Sequence, residues 1–118
     1  MTRVAAEQNT DDGLTEHAVA VLAAVEKIPP GHVLSYGDVA EYVGSGSGRT
    51  VGAVMSRHGH DPLPWHRVVQ SSGNPAPSHP EEALRRLRAE GTPLRGDKVD
   101  MRKARWDGAE PTGEGPDG

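Results

Sequence analysis

The sequence predicts a mainly α-helical domain built on a helix-turn-helix. Three observations carry that prediction. Apolar residues recur at three- and four-residue steps in four separate stretches. Two of those stretches are short and are joined by Gly44-Ser45-Gly46-Ser47-Gly48, a turn between helices. With 118 residues, 34% hydrophobic content and no Phe, the chain has room for one small aliphatic core and no second domain.

Residues 1–12 are polar and without apolar period, and are expected to be a disordered lead-in. The ordered domain is expected over 13–106. Its first helix buries Leu14, Ala18, Val21, Leu22, Val25 and Ile28, with Asp12 or Thr15 as N-cap and Pro29-Pro30-Gly31 as the stop. Val33-Leu34-Ser35 suits a very short strand or an extended linker. Ser35 and Asp38 form a capping-box variant that opens a helix through Val43. After the glycine-rich turn, Val51, Val54 and Met55 give a helix over about 49–57 its apolar side, and Gly52 leaves room for another backbone to come close. This second helix is the one that would enter a groove.

Pro62 and Pro64 are expected to forbid helix, which places Trp65-His66-Arg67 in an extended loop, running into a short buried strand at Val68-Val69-Gln70. Ser71 to Pro75 is dense turn chemistry. Ser78 with Glu81 suggests another capping box, opening a helix through Glu90 that buries Ala83, Leu84 and Leu87. Arg85, Arg86 and Arg88 are expected on its outer face. Residues 92–106 are expected to pack as an irregular strap, and 107–118 to form a disordered acidic tail.

Composition removes several function classes. The chain has no Cys, which excludes disulfides, thiolate metal sites and cysteine nucleophiles. No apolar run approaches the ~20 residues of a membrane span, and no signal peptide is visible, so the expected compartment is the cytoplasm. His58, His60, His66 and Asp61 lack the spacing of a helical His pair, and no metal or other cofactor is expected. Ser71 and Ser72 lie in a turn without a nucleophile-elbow pattern. The formal net charge of −4 hides an asymmetry: acids concentrate at both ends, leaving 17–106 at +3 with all six histidines. Such a body permits binding to a phosphate backbone without demanding it.

Of the four aromatic residues, Tyr36 and Trp65 stand where a core does not require them. Trp65 either plugs the small core or offers a flat surface to a nucleobase, with Arg49 and Arg67 to handle phosphate or fill a gap in the stack.

Four blocks in order, Ile28-Pro29-Pro30-Gly31, Ser35-Tyr36-Gly37-Asp38-Val39-Ala40, Arg49-Thr50-Val51-Gly52-Ala53-Val54-Met55 and Pro64-Trp65-His66-Arg67-Val68-Val69, resemble the DNA-binding domain of O6-alkylguanine-DNA alkyltransferases. The resemblance covers roughly residues 15–95. The enzymes read Pro-Cys-His-Arg-Val in the last block, and the cysteine accepts the alkyl group. Trp65 in its place is the mark of alkyltransferase-like proteins, which bind the lesion without repairing it.

The resemblance implies a winged helix-turn-helix, mainly α with a small β wing, entering the minor groove of double-stranded DNA. It implies DNA contacts by Ser35, Tyr36, Arg49, Gly52 and Ser71. Tyr36 would rotate the damaged nucleotide outward, and Arg49 would fill the vacated stack. The lesion pocket would comprise Tyr36, Pro64, Trp65, His66, Arg67, Val68 and Val69. His66 and Glu90 match the relay that activates cysteine in the enzymes, and without a thiol their role is structural. The expected protein is a non-enzymatic monomer that binds O6-alkylguanine and signals to nucleotide excision repair proteins, nucleoid-associated if bacterial. The loop from Gly73 to Ser78 departs from the family, lacking both the Tyr-Ser-Gly-Gly-like closure and an Arg that senses the base. Two readings compete: a winged-helix transcription regulator indifferent to alkylation, and an enzyme using His66 and Glu90 on a flipped base.

Overall fold

The computed structural model describes residues 15–109. The expected lead-in, the Asp12 cap and Leu14 lie outside the described residues, as do positions 110–118. The first helix, α1, spans Glu16–Lys27, and Thr15 caps it by accepting from the Ala18 backbone N–H at 3.0 Å. Ala18, Val21, Ala24 and Val25 form its buried stripe. Strand β1, Leu34–Ser35, leads directly into α2, Tyr36–Val43. The Ser35–Asp38 capping box is present in full, each side chain meeting the other residue's N–H at 3.0 Å. Gly44 ends α2 in the left-handed conformation, at φ 79°.

The second helix of the pair, α3, spans Gly48–His58, and Ser47 and Thr50 cap its start reciprocally. His17 fastens this end to α1, bonding Ser45 and Thr50 at 3.0 Å each. At Gly48 a Cβ would stand 3.2 Å from the Gly37 nitrogen, so the absence of a side chain there lets the starts of α2 and α3 pack closely.

Trp65–Arg67 form a 3₁₀ turn rather than the expected extended loop. The prolines lie before the turn and leave its donors intact: Arg67 N–H reaches the Pro64 carbonyl at 3.0 Å. Strand β2, Val68–Val69, then pairs parallel with β1, Leu34 opposite Val68 and Ser35 opposite Val69. Leu34 and Val68 join the larger cluster with α1, α2, α3 and Trp65, while Val33 and Val69 join a smaller one with Leu87, Val99 and Ala104.

Helix α4 spans Pro80–Ala89 and begins one residue later than a Ser78 cap requires. Proline suits the first helical position, which makes His79 the N-cap, without a side-chain bond, and no Ser78–Glu81 box forms. Ala83 and Leu87 are buried, but Leu84 is only half-buried. The expected irregular strap is instead structured. Strands β3, Leu94–Arg95, and β4, Lys98–Val99, make an antiparallel hairpin, followed by a single helical turn, α5, at Met101–Ala104. Strands this short leave no hydrophobic period to detect. The segment after α5 lies along β1, with Trp106 N–H donating to the Val33 carbonyl at 2.8 Å. The fold is thus mainly α with small β elements. No helix among the described residues is long and apolar enough to cross a membrane.

Candidate nucleic-acid interface

Parallel pairing of β1 and β2 sends the chain out of both strands at the same edge. That places Tyr36, at the head of α2, and Gln70-Ser71, after β2, on one rim. Between them and α4 lies a cleft of about 1290 Å³. One stripe of α3 lines it with Gly48, Gly52, Met55 and Ser56, the following loop with His60 and Asp61, and α4 with Glu82 and Arg86. Tyr36, Arg57, Trp65, Ser71, Ala76, Pro77 and His79 are among the other residues of the wall.

Each residue singled out from sequence has a definite place. Tyr36 is half-buried, and burial raises its phenol pKa above the usual value. Gly52 faces the cleft with nothing within 4 Å of where a Cβ would stand, leaving the surface of α3 open to an approaching backbone. Ser71 is exposed in the wall, while Ser35 is 4% exposed and acts as the cap of α2. Arg49 follows Gly48 on the first turn of α3, outside the cleft lining; it is exposed, without a hydrogen bond or ion pair among the described residues.

Trp65 answers both descriptions offered for it. It is 8% exposed and belongs to the larger core cluster, yet it also forms part of the cleft wall. Its indole N–H donates to Asp61 at 3.2 Å, and the rings of His66 and His79 meet it edge-on with centroids 6.0 Å away. The Arg86 guanidinium carbon lies 5.2 Å from the ring centroid.

Arg67 is not available to a phosphate. Its donors are consumed by Glu90, at 3.0 and 2.7 Å, and by the Ile28 carbonyl at the end of α1, at 2.8 Å. His66 Nε2–H donates to the same carboxylate at 2.8 Å, so Glu90 ties the 3₁₀ turn to α4 while Arg67 ties it to α1. Burial alone would raise the Glu90 pKa, but hydrogen bonds from Arg67 and then His66 outweigh it and hold the carboxyl at about 2. Pro64, His66, Arg67, Val68 and Val69 stand behind the cleft wall and not on it; both valines are 0% exposed and cannot touch a bound base directly.

The residues missed in the sequence are Asp61, His79, Glu82 and Arg86. Arg86 was expected on the outer face of its helix but is turned to the cleft, bonding Asp61 at 2.7 and 3.2 Å and Glu82 at 2.7 Å. The signal was its helical position, three residues after buried Ala83 and next to buried Leu87. Hydrogen bonding from Arg86 holds Asp61 down at about 2. Among the described residues no group of three or more His, Cys, Asp or Glu is arranged to hold a metal.

Residues 16–92 match the model of the 6-O-methylguanine DNA methyltransferase DNA-binding domain family. The chain belongs to this family, in its alkyltransferase-like branch. A DNA base-flipping protein of Escherichia coli K12 is 37% identical over 101 residues, covering 81% of this chain and 76% of its own length. Alkyltransferase-like protein 1 of Schizosaccharomyces pombe is 44% identical over 62 residues, covering 51% of this chain and 57% of its own. The structure of that S. pombe protein, in complex with damaged DNA containing O6-carboxymethylguanine, superposes with a TM-score of 0.66 at 32% identity, covering 77% of this chain and 94% of its own. An O6-methylguanine methyltransferase of Mycobacterium tuberculosis gives 0.54 at 31% identity, over 64% of this chain and 48% of the enzyme. The chain contains no Cys and so has no thiol to alkylate.

Proposed function

We propose that this protein recognises O6-alkylguanine in duplex DNA without chemical repair, holding the extrahelical nucleotide in the cleft beside Trp65. The observation that carries the reading is the combination of that cleft, walled by Tyr36 and Trp65, with the unpaired Arg49 one residue beyond its lining. A cleft of about 1290 Å³ has ample room for one nucleotide. The relatives support the same reading, one named for base flipping and another seen on damaged DNA.

In this mechanism α3 enters the minor groove, and Gly52, with open space where a Cβ would stand, lets it lie close to the sugar-phosphate backbone. Tyr36 presses on the phosphate beside the lesion and turns the nucleotide out. Extrusion costs a few kcal/mol in lost stacking, less for a base whose pairing alkylation has weakened. Arg49 fills the gap left in the stack. Ser71 contacts phosphate on the opposite rim, and Trp65 contributes to the surface that receives the base, base–aromatic contact being worth about 1–3 kcal/mol. His66, Arg67 and Glu90 brace the turn that carries Trp65 and take no part in a reaction. The bent, long-lived complex then marks the site for nucleotide excision repair, and the protein acts as a monomer.

The test is binding at fixed salt to two matched duplexes, one with O6-methylguanine and one with guanine, followed by recovery of the DNA. Tighter binding to the lesion with the methyl group intact is expected. Equal binding would move the reading to a winged-helix regulator, and loss of the methyl group or base would make the protein an enzyme.

A further inference from the structure

Arg86 lines the cleft beside Trp65. Its guanidinium carbon lies over the Trp65 ring, 5.2 Å from the centroid, so cation and indole are held against each other. Asp61 grips it from the loop before the 3₁₀ turn, and Glu82 from one turn earlier on α4. Asp61 also takes the Trp65 indole N–H, which links loop, platform and cation in a single chain of bonds. The two carboxylates are not equivalent. Glu82 shares the helix with Arg86 and also holds Arg85, whereas Asp61 reaches in from the opposite side and is the more exposed, at 65% against 34%. A ligand entering the cleft competes with Asp61 first.

The chemistry of the base suits this competition. Guanidinium presents paired donors, which match adjacent acceptors on the edge of a base. Alkylation at O6 also removes the N1 proton, so N1 becomes an acceptor where guanine has a donor. A cation facing that side of the ring is favoured by the alkylated base and opposed by the N1–H of the normal one. Asp61, an anion with two acceptor oxygens, presents the same pattern to Arg86 when no base is bound.

We infer that Arg86 is the group that reads the flipped base, and that Asp61 is its internal stand-in, displaced when the base enters. This inference rests on the lesion-binding reading and names the residue that gives it selectivity. It separates from a plain structural ion pair by the sign of two substitutions. If the pair only braces the cleft, breaking it from either side weakens lesion binding. If Asp61 competes with the base, Asp61→Asn frees Arg86 and strengthens lesion binding, while Arg86→Met, which keeps an unbranched apolar chain against Trp65, removes the preference.

The experiment measures fluorescence anisotropy of the full chain with duplexes carrying one O6-methylguanine or one guanine at the same position. Arg86→Met is expected to lower lesion affinity about tenfold or more, the scale of one bidentate base contact, with affinity for the guanine duplex kept within about twofold. Asp61→Asn is expected to raise lesion affinity by about threefold or more, the asparagine oxygen still accepting from Trp65. Arg86→Lys serves as the control for folding: it keeps the charge, loses the fork, and is expected to fall between wild type and Arg86→Met. A wild-type preference that survives Arg86→Met, or weaker lesion binding by Asp61→Asn, overturns the inference alone. A wild-type protein that does not distinguish the duplexes overturns the functional reading beneath it.

Discussion

Arg49 is a charge in an unfavourable place. It sits on the first turn of α3, at the positive end of the helix dipole, and that turn contains no acidic residue to offset it. Helix α4 shows the ordinary arrangement, with Glu81 and Glu82 at its start. No acid among the described residues pairs with this guanidinium, whereas an incoming anionic duplex supplies its complement. Arg49→Ala is therefore expected to weaken binding to an O6-methylguanine duplex by more than about tenfold while leaving the melting temperature unchanged or slightly higher. Comparable affinity in the variant would remove Arg49 from the mechanism. Glu90 is the opposite kind of residue, useful to the fold and hidden from the ligand. Its carboxyl sits at about 2 in the folded protein, against about 4.3 in an unfolded chain. The shift is downward, so the stabilisation is complete above the unfolded value and is lost as pH falls from about 4.5 towards 2. Glu90→Gln is expected to cost about 1–3 kcal/mol at pH 7, below the figure for a fully buried pair because Glu90 keeps some exposure. Urea midpoints of wild type and variant should converge as pH falls through that window; a gap independent of pH would show that the carboxylate charge is not what stabilises the turn.

Among the elements, α2 shows how local chemistry positions a functional side chain. Ser35 ends β1, caps α2 and immediately precedes Tyr36, so one buried hydroxyl sets the direction in which the tyrosine leaves the sheet. Ser35→Ala is expected to cost about 1 kcal/mol and lower the melting temperature by about 4–8 °C. Ser78→Ala, at the box that does not form, should leave it within about 1 °C of wild type, since it removes no cap. An equal loss from both variants would mean that hydroxyl capping is not the cause. The same contrast explains what was legible in the sequence. Helices α1, α2 and α3 announce themselves through apolar period, caps and the glycine turn, all of which act within a few residues. Val68-Val69 was recognisable as a buried strand, but not its parallel partner 34 residues earlier, because pairing is a non-local choice. The hairpin of β3 and β4 is local, but its two-residue strands carry no hydrophobic period to detect. In the cleft, Trp65 and Tyr36 stood out as aromatics without an evident core role. Arg86 did not, because an arginine among arginines looks like solvated surface until the loop bearing Asp61 folds back onto it. Gly73 also shows its purpose only in the fold. It has φ 96°, and a Cβ there would meet the Val99 carbonyl at 2.4 Å, which is where the turn after β2 packs against β4.

At the scale of the whole molecule, the charge distribution sets how the protein would approach DNA. Residues 17–106 carry +3, while the full chain carries −4. Of the acids responsible for the difference, Glu110, Glu114 and Asp117 lie beyond the last described residue. A chain ending at Ala109 loses these three and keeps the hydrogen bond from the Trp106 indole to the Ala109 carbonyl, at 3.1 Å. Long-range repulsion between like charges acts mainly on encounter, because it is felt before any contact forms. The shortened chain is therefore expected to associate with an O6-methylguanine duplex several-fold faster at about 50 mM salt, with its dissociation rate nearly unchanged. The advantage should fade towards 0.5 M salt, as the screening length drops to roughly 4 Å. Stopped-flow anisotropy across a salt series separates the two rates. Faster association that disappears with salt assigns the tail acids a purely electrostatic role. A changed dissociation rate that persists at high salt would instead mean that residues beyond Ala109 touch the bound complex, and the repulsion argument would fall.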